Sequence, residues 1–217
     1  MKTLAKNFNK VFPKFKMTDV AGTASVIEQS NDDNGKFREL EFTDVHGVSF
    51  CKDFASKITS IAKSGGNDGL LLKNCDGIHV FEYNGEKFLM LSELKSKYST
   101  QDIVKAKDQL IGTYLNLIAV LSVMQGFNIN EYRIFGLIAS YKPTEETKSA
   151  ISKFEDLQSA FAIRLYSECR YFMPEKRCKK FYNPLNVGDF TIVYIPVENH
   201  VDKYTVNIAE VIERVVQ

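Results

Sequence analysis

Apolar residues alternate in steps of two along some stretches of this chain and recur in steps of three and four along others. Leu40 and Phe42, set between charged neighbours in "FRELEF" at 37–42, predict a strand with one buried face. Phe54, Ile58, Ile61 and Ala62 share one side of a predicted short amphipathic helix, which Ser64-Gly65-Gly66-Asn67 ends. Ser99-Thr100 offers an N-cap for a long helical pattern reaching about Met124 and stopping near Gly126. This helix grows more apolar from Leu110 to Leu121, so its second half is expected to be buried. Tyr132 to Tyr141 reads as a core strand and Pro143 to about Cys169 as helix. "FTIVYIPV" at 190–197 reads as a strand and "NIAEVIERVV" as a terminal helix. The segment before Phe37 carries no clear period. This order predicts a mixed α/β class in one domain over 1–217, with a core at about 52–142 and residues 143–217 packed on it as an elaboration.

The stretch "CDGIHVFEYNGEKFLMLSELKSKYS" at 75–99 says most. Two apolar runs flank Asn84-Gly85, a dipeptide that accepts positive φ at both centres of a two-residue hairpin loop. With that loop Tyr83 faces Glu86, and every cross-strand pair sums to 169. Asp76 then stands opposite Glu93 on one face, with Cβ atoms about 4.5–5.5 Å apart. Lys95, two residues past Glu93, projects from the same face.

Two carboxylates that close repel, so near neutral pH one takes up a proton or the pair recruits a cation. Mg²⁺, with Mn²⁺ as a substitute, is commonly held by one or two carboxylates together with waters and substrate phosphate. A lysine beside it can orient or help activate the attacking water and neutralise charge developing on the phosphoryl oxygens. Asp76 and Glu93 are therefore the expected metal ligands. Asp76, Glu93 and Lys95 are the expected catalytic residues of a phosphodiester hydrolase.

These residues resemble the PD-(D/E)xK nuclease superfamily. In "NCDGIHVF" Asp76 matches the first acidic position, and in "SELK" Glu93 and Lys95 match the second motif. Cys75 stands where the eponymous proline would be. The resemblance covers about 52–142. It implies a restriction-endonuclease-like mixed sheet flanked by helices, here with an additional C-terminal helix and strands. It also implies metal-dependent cleavage of DNA or, less often, RNA, in the setting of restriction, phage defence or repair. Glu146-Thr147-Lys148 also satisfies Glu-x-Lys, but it sits at a predicted helix start with no strand before it and no facing Asp. Members resembling the RecB nuclease domain carry Gln and Tyr four residues apart on the next helix. Here Gln109 is a candidate accessory residue, whereas Tyr114, five residues on, turns about 140° away. An extra acid is known in some members; Asp53 and Glu41 are candidates without a matching motif.

Composition sets limits on this picture. With 44% apolar and 25% charged residues the 217-residue chain is ordinary for a folded protein. A formal net charge of +1 gives no global signature of polyanion binding, which leaves local patches to do that work. Lys97, Lys105 and Lys107, and Lys176, Arg177, Lys179 and Lys180 in "EKRCKK", are the candidate phosphate contacts. The four cysteines lack zinc-site spacing and are expected to be reduced thiols. The basic opening "MKTLAKNFNKVFPKFK" is too interrupted for a secretory signal, and no apolar run approaches the roughly 20 residues that span a bilayer. The expected setting is the cytoplasm, without a membrane. The expected partner is nucleic acid, DNA ahead of RNA, with a protein partner or a second copy supplying recognition. The alternative of a different class is a catalytically silent nuclease-fold subunit that binds nucleic acid or serves assembly.

Overall fold

The computed structural model describes residues 2–28, 37–51, 53, 54, 57, 69–153, 156–182 and 187–217. The helix expected over 54–62 and the turn at 64–67 fall mostly outside this set. Helix α1 (Lys2–Val11) leads into strands β1 (Thr18–Ile27) and β2 (Glu39–Ser49), then the hairpin strands β3 (Gly77–Tyr83) and β4 (Glu86–Lys95). Helix α2 (Thr100–Leu121), strand β5 (Tyr132–Tyr141) and helices α3 (Glu145–Ser152) and α4 (Leu157–Glu168) follow. Strand β6 (Arg170–Met173), helix α5 (Glu175–Tyr182), strands β7 (Phe190–Val197) and β8 (Lys203–Asn207) and helix α6 (Ile208–Val216) come last.

Eight strands among the described residues form one open mixed sheet, in the order β1-β2-β3-β4-β5-β7-β6 with β8 beside β2. β4, β5 and β7 run parallel at its centre, while β1, β2 and β3 join antiparallel. The hairpin forms as its turn chemistry requires: Asn84 at φ 51° and Gly85 at φ 79° close the loop. The register runs from Tyr83↔Glu86 to Gly77↔Ser92, so the sum of 169 holds along the strand pair.

Strand alternation then sorts the side chains. Ile78 and Val80 of β3 and Leu89 and Leu91 of β4 face a layer containing Phe8 of α1, Ile103 and Leu110 of α2 and Phe161 of α4. Phe81, Phe88, Met90 and Leu94 point the other way, toward Val211, Ile212 and Val215 of α6. Burial on both faces explains the unbroken apolar run Phe88–Leu91 in β4, as in central parallel strands. Glu93 and Lys95 share the parity of Leu89 and Leu91 and so lie on the α2 side.

Several boundaries differ from the sequence reading. The opening segment forms α1 and β1, with Leu4, Ala5 and Phe8 buried one turn apart. The strand at 37–42 continues to Ser49. The helix expected over 143–169 is two: Asp156 caps α4 by accepting the N–H groups of Gln158 and Ser159. "EKRCKK" is helical, in α5. Residues 170–207 contribute β6, β7 and β8 to the same sheet, β7 directly against β5. Among the described residues no helix is long and apolar enough to cross a membrane.

Candidate active site

The hairpin ladder changes where Asp76 enters it. The Asp76 N–H donates to the Ser92 carbonyl at 2.9 Å, and the Leu94 N–H donates to Asp76 Oδ2 at 2.8 Å. A side-chain carboxylate thus serves as the acceptor for β4, which pins Asp76 against the two residues that flank Glu93. Glu93 itself is only 1% exposed. Its Oε1 accepts from Lys95 Nζ at 2.5 Å, while its Oε2 is buried with no hydrogen-bond partner among the described residues.

Helix α2 organises the rest. Lys95 Nζ donates a second bond to Gln109 Oε1 at 2.9 Å, and Gln109 Nε2 donates to the Asn74 carbonyl at 2.8 Å. One turn on, Thr113 Oγ1 donates to the Gln109 carbonyl and accepts the Cys75 N–H at 2.8 Å. Gln109 and Thr113 therefore hold Asn74-Cys75, the two residues before Asp76, from the same helix that orients Lys95. Gly112 makes the approach possible. A Cβ there would stand 2.3 Å from the Leu70 carbonyl oxygen and 2.9 Å from that of Lys73. Cys75 donates its thiol to the Gly77 carbonyl at 3.2 Å. Burial pushes that thiol up to about 12, which makes it a structural residue and not a nucleophile.

The electrostatics follow from burial and crowding. Burial pushes Asp76 up to about 6, opposed by the Leu94 N–H and the Lys95 charge. Burial, and then the Asp76 charge, push Glu93 up to about 8 against the pull of Lys95. Glu28 adds to both effects from the end of β1, where its N–H continues the β1–β2 ladder to the Arg38 carbonyl at 2.9 Å. Sequence reasoning passed over Glu28. It sits in no motif, and only the folded sheet brings its charge near the other two acids.

Among the described residues no cluster of three or more His, Cys, Asp and Glu side chains forms a metal cage. The donor set fits Mg²⁺ or Mn²⁺ differently. It offers hard carboxylate oxygens, one of them orphaned in the interior, and such an ion commonly completes its shell with water and phosphate. Asp76 and Glu93 are the residues that would hold the ion.

The remaining candidates separate clearly. Gln109 joins the site, whereas Tyr114 packs on Phe190 with ring centroids 5.5 Å apart. Lys97, Lys105, Lys176 and Lys180 are exposed. Lys107 is buried, its ammonium 5.4 Å from the ring centres of both Phe161 and Tyr182, so it is enclosed and not presented to a surface phosphate. Arg177 bonds Tyr171 Oη at 2.7 Å, and Lys179 pairs with Glu175 at 2.5 Å. Glu41 is engaged by Lys203 at 2.7 Å, and Asp53 is exposed. His79 faces the α6 side against Phe42, away from the acids. Comparison with protein-family models, with curated proteins and with solved structures finds no match to this chain.

Proposed function

We propose that this chain is a metal-dependent phosphodiester hydrolase acting on nucleic acid, DNA ahead of RNA, built on a restriction-endonuclease-like core. The observation that carries the reading is Glu93. It is a carboxylate buried at the end of a central strand, half neutralised by Lys95, with its second oxygen orphaned beside Asp76. With both carboxylates ionised, one ammonium would leave the site short of positive charge; a proton held by Glu93 up to about pH 8 meets that deficit in the free chain, and a bound cation would replace it. Bound Mg²⁺ would supply Lewis acidity toward a phosphoryl oxygen and lower the pKa of water.

The chain's own groups have separable tasks. Asp76 and Glu93 present oxygens from neighbouring strands. Lys95 has three donors and commits two, to Glu93 Oε1 and Gln109 Oε1, so its third remains for the attacking water or a non-bridging phosphate oxygen. Hydrolysis forms a phosphorus–oxygen bond to that water and breaks the one to the sugar oxygen, and the ammonium offsets charge on the phosphoryl oxygens as this happens. Gln109 keeps the ammonium aimed.

The test is a cleavage assay on single- and double-stranded DNA and RNA with Mg²⁺ or Mn²⁺, using wild type and Asp76→Ala, Glu93→Ala and Lys95→Ala. Metal-dependent products from wild type and none from the variants support the proposal. Cleavage that is unchanged in the variants, or absent with every substrate, favours the non-catalytic subunit.

A further inference from the structure

We infer that the cleft at the carboxyl ends of β4, β5 and β7 is a binding site for the phosphate of a nucleotide next to the scissile one, an assignment that rests on the nuclease reading. The loops that follow three parallel strands meet there, at Ser96–Ser99, Tyr141–Thr144 and Asn199–His200, around a cavity of about 480 Å³. The carboxyl ends of parallel strands are where open α/β sheets collect ligands. This volume suits a nucleotide-sized ligand.

Its lining is chemically suited to an anion. Lys97 is exposed and forms no ion pair with a described residue, and the Ser96 hydroxyl is buried with no hydrogen-bond partner among them. Helices α2 and α3 both begin at its wall, capped by Ser99 and Thr144, so two sets of first-turn N–H groups add partial positive charge. Of the acids nearby, Asp102 Oδ2 accepts from Ser99 Oγ at 2.6 Å, Glu198 pairs with Lys142 and Glu145 with Lys148, while Glu146, also in the first turn of α3, is exposed. The cleft also continues the candidate active site. Ser96 and Lys97 follow Lys95 directly, so Lys97 lies within about 7 Å of extended chain from the residue that faces the scissile phosphate.

The experiment uses the full chain carrying Asp76→Ala, which stops turnover, and measures anisotropy of a labelled short single-stranded DNA across a salt series. Adding Lys97→Ala should weaken binding at least about threefold at low salt. The dependence of log affinity on log salt should become shallower by roughly 0.7 for each phosphate that is no longer neutralised. Mg²⁺ affinity of Lys97→Ala in the Asp76→Ala background should match that of the background alone. Equal affinity and slope with and without Lys97 would overturn the assignment, as would failure of the DNA to bind at all. Displacement by inorganic phosphate as readily as by unlabelled DNA would reduce the cleft to a free-anion site and also overturn it. Lysine-dependent DNA binding by a wild-type chain that cuts nothing would instead sink the nuclease reading and leave the cleft standing.

Discussion

Lys95 Nζ lies 2.5 Å from Glu93 Oε1, two residues away on the same face of β4, while Glu93 Oε2 is buried without a hydrogen-bond partner among the described residues. One oxygen of a single carboxylate is thus satisfied by the protein and the other is left to something else. A buried pair of this kind is poor evidence for stability, because desolvation offsets much of the attraction. It is better explained by work that needs charge in a dry place.

Gln109→Ala separates orientation from ligation. It removes the acceptor for Lys95 and the donor to Asn74, two bonds of 2.9 and 2.8 Å. Stability should fall by about 1–2 kcal/mol, and metal-dependent cleavage by at least about tenfold because the ammonium loses its aim. Metal affinity measured by calorimetry should stay close to wild type, since both carboxylates remain. A loss of metal binding equal to the loss of turnover would contradict this division of labour.

The pH dependence of stability should carry the mark of Glu93. Burial raises this carboxyl from 4.5 to about 8 in the folded chain. A raised folded pKa contributes stability that is full below the unfolded value and lost as pH climbs through the folded one. In EDTA, Glu93→Gln should therefore gain on wild type steadily between pH 4.5 and about 8. His79 acts in the opposite sense, since burial lowers it from 6.5 to about 4 and its contribution is lost as pH falls between those values. It is present in both proteins and cancels in the difference. Urea unfolding of the two proteins across this range provides the check, and a difference that does not vary with pH would refute it.

Gly112→Ala tests how α2 positions the loop before Asp76. Replacing glycine by alanine inside a helix ordinarily gains about 1 kcal/mol. Here the added methyl would meet the Leu70 and Lys73 carbonyls at 2.3 and 2.9 Å, so the segment carrying Asn74 and Cys75 must move. A net loss of roughly 1–3 kcal/mol is expected, with weaker metal binding through the displaced Asp76. Thermal melts and metal titration read the two effects, and a stabilised variant with intact metal affinity would show that the close approach is dispensable.

The hairpin was legible because Asn84-Gly85 has few ways to turn, and its register carried Glu93 and Lys95 to one shared face, the α2 side. The expected Asp76–Glu93 pairing was only partly legible. The ladder ends at Gly77↔Ser92, and beyond it the Asp76 carboxylate, which no pairing rule anticipates, accepts the Leu94 N–H. Gln109 was visible as a residue but not as a bridge, since its partner carbonyl at Asn74 is 35 positions away. Lys107 looked like its exposed neighbour Lys105, and only the packing of Phe161 and Tyr182 distinguishes them. The α1 pattern of Leu4 and Phe8 was readable in principle. β8 was not: its five residues pair with β2, more than 150 positions earlier in the chain, and no local period marks them.

Calorimetric titration of Mg²⁺ and Mn²⁺ into wild type and Asp76→Ala bears most directly on the claim that these carboxylates form a metal site. Removing one of two oxygen ligands should weaken binding by at least about tenfold, and proton release on binding to wild type should grow as pH falls below about 8, where Glu93 must give up its proton. Equal metal affinity in the two proteins, or no saturable binding to wild type, would contradict the account.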